Sequence, residues 1–384
     1  MNILDYCVWR GDIPFYHDQF NYVDNLCFAE ITYCDFDGLF DDKKTMTLKE
    51  LADLYFSDEE RVKKAKTKAF ISLAPDLLKE MSHSNRFKNI KVRNYVSVLN
   101  YENTGQFAAM MFDLPFGITI VSFRGTDNSI VGWNEDMQLS YKKVFSQYAA
   151  CEYVNKYCWR MRKYILIGHS KGGNLALYAA STCKKSIKKK IIQVISDDGP
   201  GLREDAHDDE SLIEISEKYI KIVPQFDIVG QIYNRCENLL VVHSNEKGLS
   251  QHDMLSWEVK ANRLVEAKEI ANESLLVKEV INRFMDSTTD EERRKFINEL
   301  FASLQISNIQ EITDLKLHDV KDMAKLLQNF SVVSKDSKDT VSTLLKILIE
   351  IFGANFFSEV EKNVHGLVSE TINKIANLTK SRHI

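Results

Sequence analysis

None of the seven cysteines in this 384-residue chain forms a CxxC pair or joins a histidine cluster, so the spacing expected of a zinc site is missing. Seven is also an odd number, and free thiols in a reducing compartment are a simpler reading than a disulfide framework. No apolar run reaches the length of a charge-free membrane span. The nearest, Val341 to Phe357, is broken by Lys346 and Glu350. The opening MNILDYCVWRGDIPFY places acidic and basic residues where a signal peptide needs an apolar core. Internal repeats and low-complexity tracts are absent. The formal charge of −5 is small, which argues against an electrostatic nucleic-acid binder. Together these absences lead us to expect a cytoplasmic protein with no metal and no organic cofactor.

What is present suits an enzyme-sized globular chain. Apolar residues make up 44% and charged residues 27%, enough for one large α/β domain and an accessory region. Residues 1 to about 90 read as mixed and mostly helical. Thr47 with Glu50 has the spacing of a capping box at the start of a helix running to Phe56. From Tyr95 the pattern changes to strands. Tyr95–Glu102 alternates, Phe107–Asp113 is apolar, and Gly117–Phe123 is rich in β-branched and aromatic residues. Strand and helix then alternate. Val144–Met161 reads as a helix and Lys163–Ile167 as a buried strand. Asn174–Ser181 is again helical, and Lys190–Ser196, Tyr219–Val223 and Leu239–His243 are strands. This alternation predicts a mostly parallel, doubly wound sheet. Beyond about Val259 only helical periodicity remains. We therefore expect an α/β domain over 1–265 and an all-helical region over 266–384.

Gly168-His169-Ser170-Lys171-Gly172 matches G-x-S-x-G after an apolar strand and before a helix, the context in which a sharp turn lifts a nucleophilic serine above a sheet. Small residues at Gly173 and Ala176 allow close packing of the following helix. A serine hydroxyl needs a histidine to take its proton and an acid to orient that histidine, in the chain order Ser, Asp/Glu, His. Asp227 follows the second strand after Ser170 and is the favoured acid. Asp197 and Asp198, one strand earlier, compete with it but read as part of a turn with Gly199-Pro200-Gly201. His252, in the loop before Trp257, is the favoured base over His243 at the end of a strand. Thr126, in Phe123-Arg124-Gly125-Thr126-Asp127, and the backbone amide of Lys171 are the candidate oxyanion donors. The Lys171 side chain is expected in solvent, and Arg124 with Asp127 is expected to lock its loop. His169 reads as a structural support of the turn.

Phe-Arg-Gly-Thr-Asp at 123–127, Trp133 with Asp136, and Gly-His-Ser-Lys-Gly-Gly at 168–173 resemble the class 3 lipases. In that family the threonine and the residue after the serine form the oxyanion hole, which implies Thr126 and Lys171. The family acid lies in an Asp-x-Val segment, matched by Asp227-Ile228-Val229. The resemblance is closer to a bacterial group of lipase-like proteins called Mbeg-like. It rests on Gly-His-Ser-Lys-Gly-Gly-Asn-Leu-Ala, the Asp-Gly-Pro-Gly turn at 198–201 and an N-terminal segment from Asp5-Tyr6 to Trp9-Arg10-Gly11, and it covers about residues 1–260. It implies an α/β-hydrolase fold and a serine esterase or lipase-like activity on a small-molecule or lipid acyl ester. The class 3 pattern has leucine where this chain has Lys171. A non-catalytic binding or scaffold protein on the same fold is the alternative reading. The apolar positions Leu345, Leu348, Ile349, Phe352 and Phe356 at helical spacing suggest peripheral membrane contact through the C-terminal helices, against plain packing on neighbouring helices.

Overall fold

A computed structural model describes residues 1–40, 45–66, 73–100, 104–127, 129–159, 161–206 and 209–306. The chain divides into two compact units, Met1–Ile270 and Ala271–Ile384.

The first unit opens with helices α1 (Ile3–Arg10) and α2 (Tyr22–Ile31), a short strand β1 (Thr45–Thr47), and helices α3 (Leu48–Phe56), α4 (Glu59–Lys66) and α5 (Ala74–His83). Three of these helices start at full capping boxes: Asn2 with Asp5, Asn21 with Asp24, and Thr47 with Glu50. In each, both side chains satisfy amides that the first helical turn leaves without partners. Asp24 also accepts two bonds from the buried guanidinium of Arg86, at 2.7 and 2.5 Å, and one from the Tyr6 hydroxyl at 2.9 Å. These bonds tie α1, α2 and the segment after α5 together.

The sheet continues through β2 (Lys91–Asn100), β3 (Gly105–Asp113) and β4 (Ile118–Phe123). Helices α6 (Ile130–Gln138) and α7 (Phe145–Tyr157) lead to β5 (Lys163–His169). Then come α8 (Lys171–Thr182), α9 (Lys185–Lys188), β6 (Ile191–Asp197), α10 (Asp209–Ser216), β7 (Tyr219–Pro224) and β8 (Leu239–Val242). A small hairpin of β9 (Val259–Lys260) and β10 (Arg263–Leu264) follows. It is short strand structure beyond the point where the sequence suggested only helices.

Strands β1 to β4 pair antiparallel and β4 to β8 parallel. The eight lie side by side in sequence order. This corrects the expectation of a doubly wound sheet, which requires a reversal of strand order. Every parallel step here moves the same way, so the crossover helices gather on one face, where α8 packs against both α7 and α10. The other face is covered mainly by α1, α2 and α5, with Met254, Trp257 and Leu264 from the chain after β8. Side-chain alternation along each strand serves both layers. Met110, Phe112, Ile165 and Ile167 join the core with α1, α2 and α5, while Ala109, Met111 and Leu166 join α7 and α8.

In the second unit the described part comprises α11 (Asn272–Ser287) and α12 (Asp290–Ile306). Thr289 caps α12, with its hydroxyl and amide both bonded to Glu292. Phe284 and Phe296 meet edge to face at 6.3 Å. The helices expected at Leu315–Asn329 and Asp339–Leu378, including the apolar stretch assigned to membrane contact, lie outside the described residues. No described helix is long and apolar enough to cross a membrane.

Candidate active site

Strand β5 ends at His169 and α8 begins at Lys171, which leaves Ser170 alone to make the turn. Its backbone sits at φ 55°, ψ −130°, a region that costs a residue with a side chain about 1–3 kcal/mol. Contacts on both sides impose that conformation. A Cβ on Gly168 would lie 2.3 Å from the Gly172 carbonyl carbon, one on Gly172 2.1 Å from the Phe123 oxygen, and one on Gly173 2.2 Å from Ser196 Oγ. The glycines flanking the serine are therefore a steric requirement of strand, turn and helix meeting here. The Ser170 amide donates to the Asp197 carbonyl at 2.8 Å, and the Gly173 amide to the Ser170 carbonyl at 2.9 Å.

His252 closes a 3-10 turn over Gly248–His252 that follows β8. Its Nδ1 lies 2.7 Å from Asp198 Oδ2. Its ring centroid is 4.6 Å from that of His169, the residue before Ser170. His169 is itself fixed from two sides, with Nδ1 2.9 Å from the Tyr33 hydroxyl and Nε2 2.8 Å from the His252 carbonyl. A carbonyl only accepts, so Nε2 carries the proton and Tyr33 donates to Nδ1. Burial, and then the neighbouring His252, push His169 well below the usual imidazole value, so it stays neutral. His169 thus supports the turn and pins the backbone of the loop that carries His252.

The carboxylate on His252 Nδ1 is Asp198, and this corrects the expectation of Asp227 from the chain order and the Asp-x-Val segment. Strand position explains the difference. In the sheet register His169 pairs with Asp197, and Asp197 with Ile222. Asp198 therefore emerges one strand from the serine, whereas Asp227 follows β7, a further strand away. Asp198 turns sharply, at φ 46°, and its amide donates to the Ile222 carbonyl at 2.8 Å. Asp227 lies behind it. Its carboxyl accepts the Gly230 amide at 2.7 Å and the Gln231 side-chain amide at 2.5 Å. His243, the competing base, pairs instead with Glu258 at 2.9 Å on a partly exposed surface.

Burial raises Asp198 to about 6, opposed by hydrogen bonds from Asp227 and the Gly230 amide and by Lys221. Burial lowers His252 to about 4, opposed by the carboxyls of Asp227, Asp253 and Asp136. The imidazole is therefore neutral, and able to accept a proton, well into the acid range.

On the other flank, the Arg124–Asp127 loop presses against the elbow. A Cβ on Gly125 would lie 2.5 Å from the His169 carbonyl and 3.2 Å from Ser170 Cβ. Arg124 and Asp127 face each other at 3.9 Å. The Thr126 hydroxyl donates to Asp136. Lys171 reverses the expectation of a solvated side chain, being 1% exposed. Its ammonium lies 3.0 Å from Glu135 and 3.2 Å from Asp136, and 3.4 Å from Gln106 Oε1. Burial acts against its charge, but Asp136 and Glu135 outweigh it and hold the group above the usual lysine value. Glu135 also accepts the Ser146 amide at 2.8 Å and the Gln106 amide at 2.9 Å. Asp136 thus links the residue after Ser170 to Thr126 across the turn. The Lys171 amide opens the first turn of α8, where backbone amides have no helical acceptor.

Three further residues position this site and were not singled out from the sequence. The Asn25 side-chain amide, from α2, lies 2.8 Å from both oxygens of Asp197. Tyr33 follows α2 and holds His169. Asn174 donates to the Gly201 carbonyl at 2.7 Å and accepts from Gln147 at 2.9 Å, joining α8 to the Asp-Gly-Pro-Gly turn. Only Asn174 stood inside a motif, so only it carried a local signal.

A serine on a strained strand-to-helix turn of an α/β sheet, with an Asp–His pair at the same edge, defines the class of site. The Mbeg1-like family model matches residues 81–302, and the chain belongs to that family. Among curated proteins there is no match. Among solved structures the chain is similar to the crystal structure of M37 lipase, at 16% identity and a TM-score of 0.33, over 54% of this chain and 68% of that one.

Proposed function

We propose that this chain is a serine hydrolase on an α/β-hydrolase fold, cleaving the acyl ester of a small molecule or lipid. Ser170 Oγ attacks the acyl carbonyl, and His252 takes its proton through Nε2. Asp198 holds the imidazole by Nδ1 and stabilises the imidazolium as it forms. The amides of Lys171 and Thr126 stabilise the oxyanion. His252 then protonates the leaving alcohol, and water, activated by the same imidazole, releases the acid from Ser170. The reading rests on one observation: a serine held at φ 55°, ψ −130°, one residue from a histidine whose ring is 4.6 Å from an Asp-bound imidazole.

A fluorophosphonate probe and a p-nitrophenyl ester chain-length panel test it. Covalent labelling and turnover are expected in the native chain and abolished in Ser170→Ala. A well-folded native chain that neither labels nor turns over would sink the proposal and leave a scaffold. The acid limb of kcat/KM is expected below the ordinary histidine value of about 6.5, because burial lowers His252 and the lower value preserves its base form as pH falls.

A further inference from the structure

Asp227 occupies the position where the sequence places the acid, yet the imidazole is bound by another residue. The surroundings of the two carboxyls explain what Asp227 does there. One backbone amide serves both, since Gly230 N lies 3.0 Å from Asp198 Oδ1 and 2.7 Å from Asp227 Oδ1. A Cβ on Gly230 would lie 2.8 Å from the first carboxyl and 2.8 and 2.9 Å from the two oxygens of the second. Both carboxyls therefore crowd against a single glycine and share its amide. Asp198 is 1% exposed and Asp227 0%.

Two buried carboxylates crowded on one donor repel each other, so one of them is driven to hold its proton. Asp198 is the one that faces His252 Nδ1, so its charge is the one the imidazole uses. Asp227 faces two amide donors, from Gly230 and Gln231. The titratable groups facing the pair are Lys221 of β7, whose ammonium lies 2.7 Å from the Gly230 carbonyl, the neutral ring of His252, and beside Asp198 the carboxyl of Asp197, which burial raises to about 8. One buried ammonium balances one carboxylate of the two.

We propose that Asp227 is a protonated carboxylic acid that donates its hydrogen bond to Asp198, and so positions Asp198 as the charged partner of His252. It is a positioning residue, acting through Asp198. The chain then holds its acid as a proton-sharing pair spanning β6 and β7. Burial and the neighbouring Asp198 both raise Asp227 well above the usual carboxyl value, in the same direction.

This inference rests on the hydrolase reading for its activity arm, and one arm is independent of activity. Asparagine keeps a neutral donor at 227, whereas alanine removes it. Asp227→Ala is expected to lower kcat about 10–100-fold and to move the acid limb upward, because Asp198 loses the bond that favours its ionised form. Asp227→Asn is expected to restore most of that loss and return the acid limb toward the native position. Asp227→Asn falling as far as Asp198→Asn, or an acid limb unmoved in Asp227→Ala, would overturn the proposal. The second arm reads thermal stability against pH in native and Asp227→Asn chains. A carboxyl whose folded value is raised contributes fully below its unfolded value near 3.9 and loses that contribution as pH climbs through its folded value. The native chain should therefore lose stability relative to Asp227→Asn as pH rises from 4. Parallel curves would show that Asp227 is ionised when folded, whatever the catalytic result.

Discussion

On one flank of Ser170 a buried lysine, Lys171, meets the carboxylates of Glu135 and Asp136. On the other, Asp197, Asp198 and Asp227 are all at most 1% exposed, and Lys221 is the cation acting on the latter two. Lys171 and Glu135 are buried as deeply as those aspartates, with Asp136 partly exposed beside them, and the shifts diverge. With two opposite charges in contact, Lys171 stays above the ordinary lysine value. With too few cations, the carboxyls move toward their neutral forms, Asp198 to about 6 and Asp197 to about 8. Depth alone therefore does not decide charge in this site; the count of opposite partners does. The first flank braces the turn with an ammonium held between two carboxyls, and the second holds the imidazole with carboxyls crowded on one another.

The strongest way to break this comparison is to remove the one charge the carboxyl flank needs. Asp198→Asn is expected to lower kcat by about 10⁴-fold, the usual cost of a wrongly held imidazole tautomer, with the fold intact by circular dichroism. If Asp198→Asn keeps native activity while Asp227→Asn loses it, the assignment of the acid reverts to Asp227. On the lysine flank, Lys171→Met strands Glu135 and is expected to cost about 3–5 kcal/mol of stability in urea unfolding. Adding Glu135→Gln should recover part of that, and an unchanged midpoint in the single variant would mean the pair is not coupled to folding.

Smaller effects sharpen the contrast. Burial raises Asp197 to about 8, so its stability contribution is complete below its unfolded value and is lost as pH rises through 8. Asp197→Asn should flatten the decline of melting temperature between pH 4 and 8; an unaltered slope would place Asp197 among the ionised groups. Tyr33→Phe deletes the donor to His169 and is expected to cost about 0.5–1.5 kcal/mol, with a fall in kcat of a few-fold and little change in KM. A KM effect larger than the kcat effect would show that Tyr33 touches substrate instead.

Much of the crossover half was legible because its signals are local. Apolar runs marked β4 to β7, and the glycines around Ser170 marked the turn, since each excludes a Cβ that the packing cannot admit. Chain order and loop position pointed to His252, whose ring lies beside His169. Asp198 did not, because Asp-Gly-Pro-Gly reads as an ordinary turn, and nothing local says that β6 lies next to β5 in a sheet without reversal. The Lys171 side chain looked solvated because its partners, Glu135 and Asp136, lie more than thirty residues upstream. The contacts of Asn25 with Asp197 and Tyr33 with His169 span 172 and 136 residues, and no periodicity encodes them. Helices α1 and α5 were likewise not resolved within the mostly helical first 90 residues, where the helix to Phe56 was marked by its capping box.

The sequential strand order has a consequence for any shortened form of this protein. A fragment beginning at residue 81, where the family match starts, would retain the serine, both carboxyls and the imidazole. It would lack α1, α2 and most of α5 from the layer that shields Ile120, Ile165 and Ile195, leaving much of one side of the sheet greasy and wet. The groups proposed for catalysis and most of the cover on this face are thus written in different stretches of the chain. Trimming to the recognisable segment would preserve the chemistry on paper while removing the wall that Tyr33 and Asn25 build behind it.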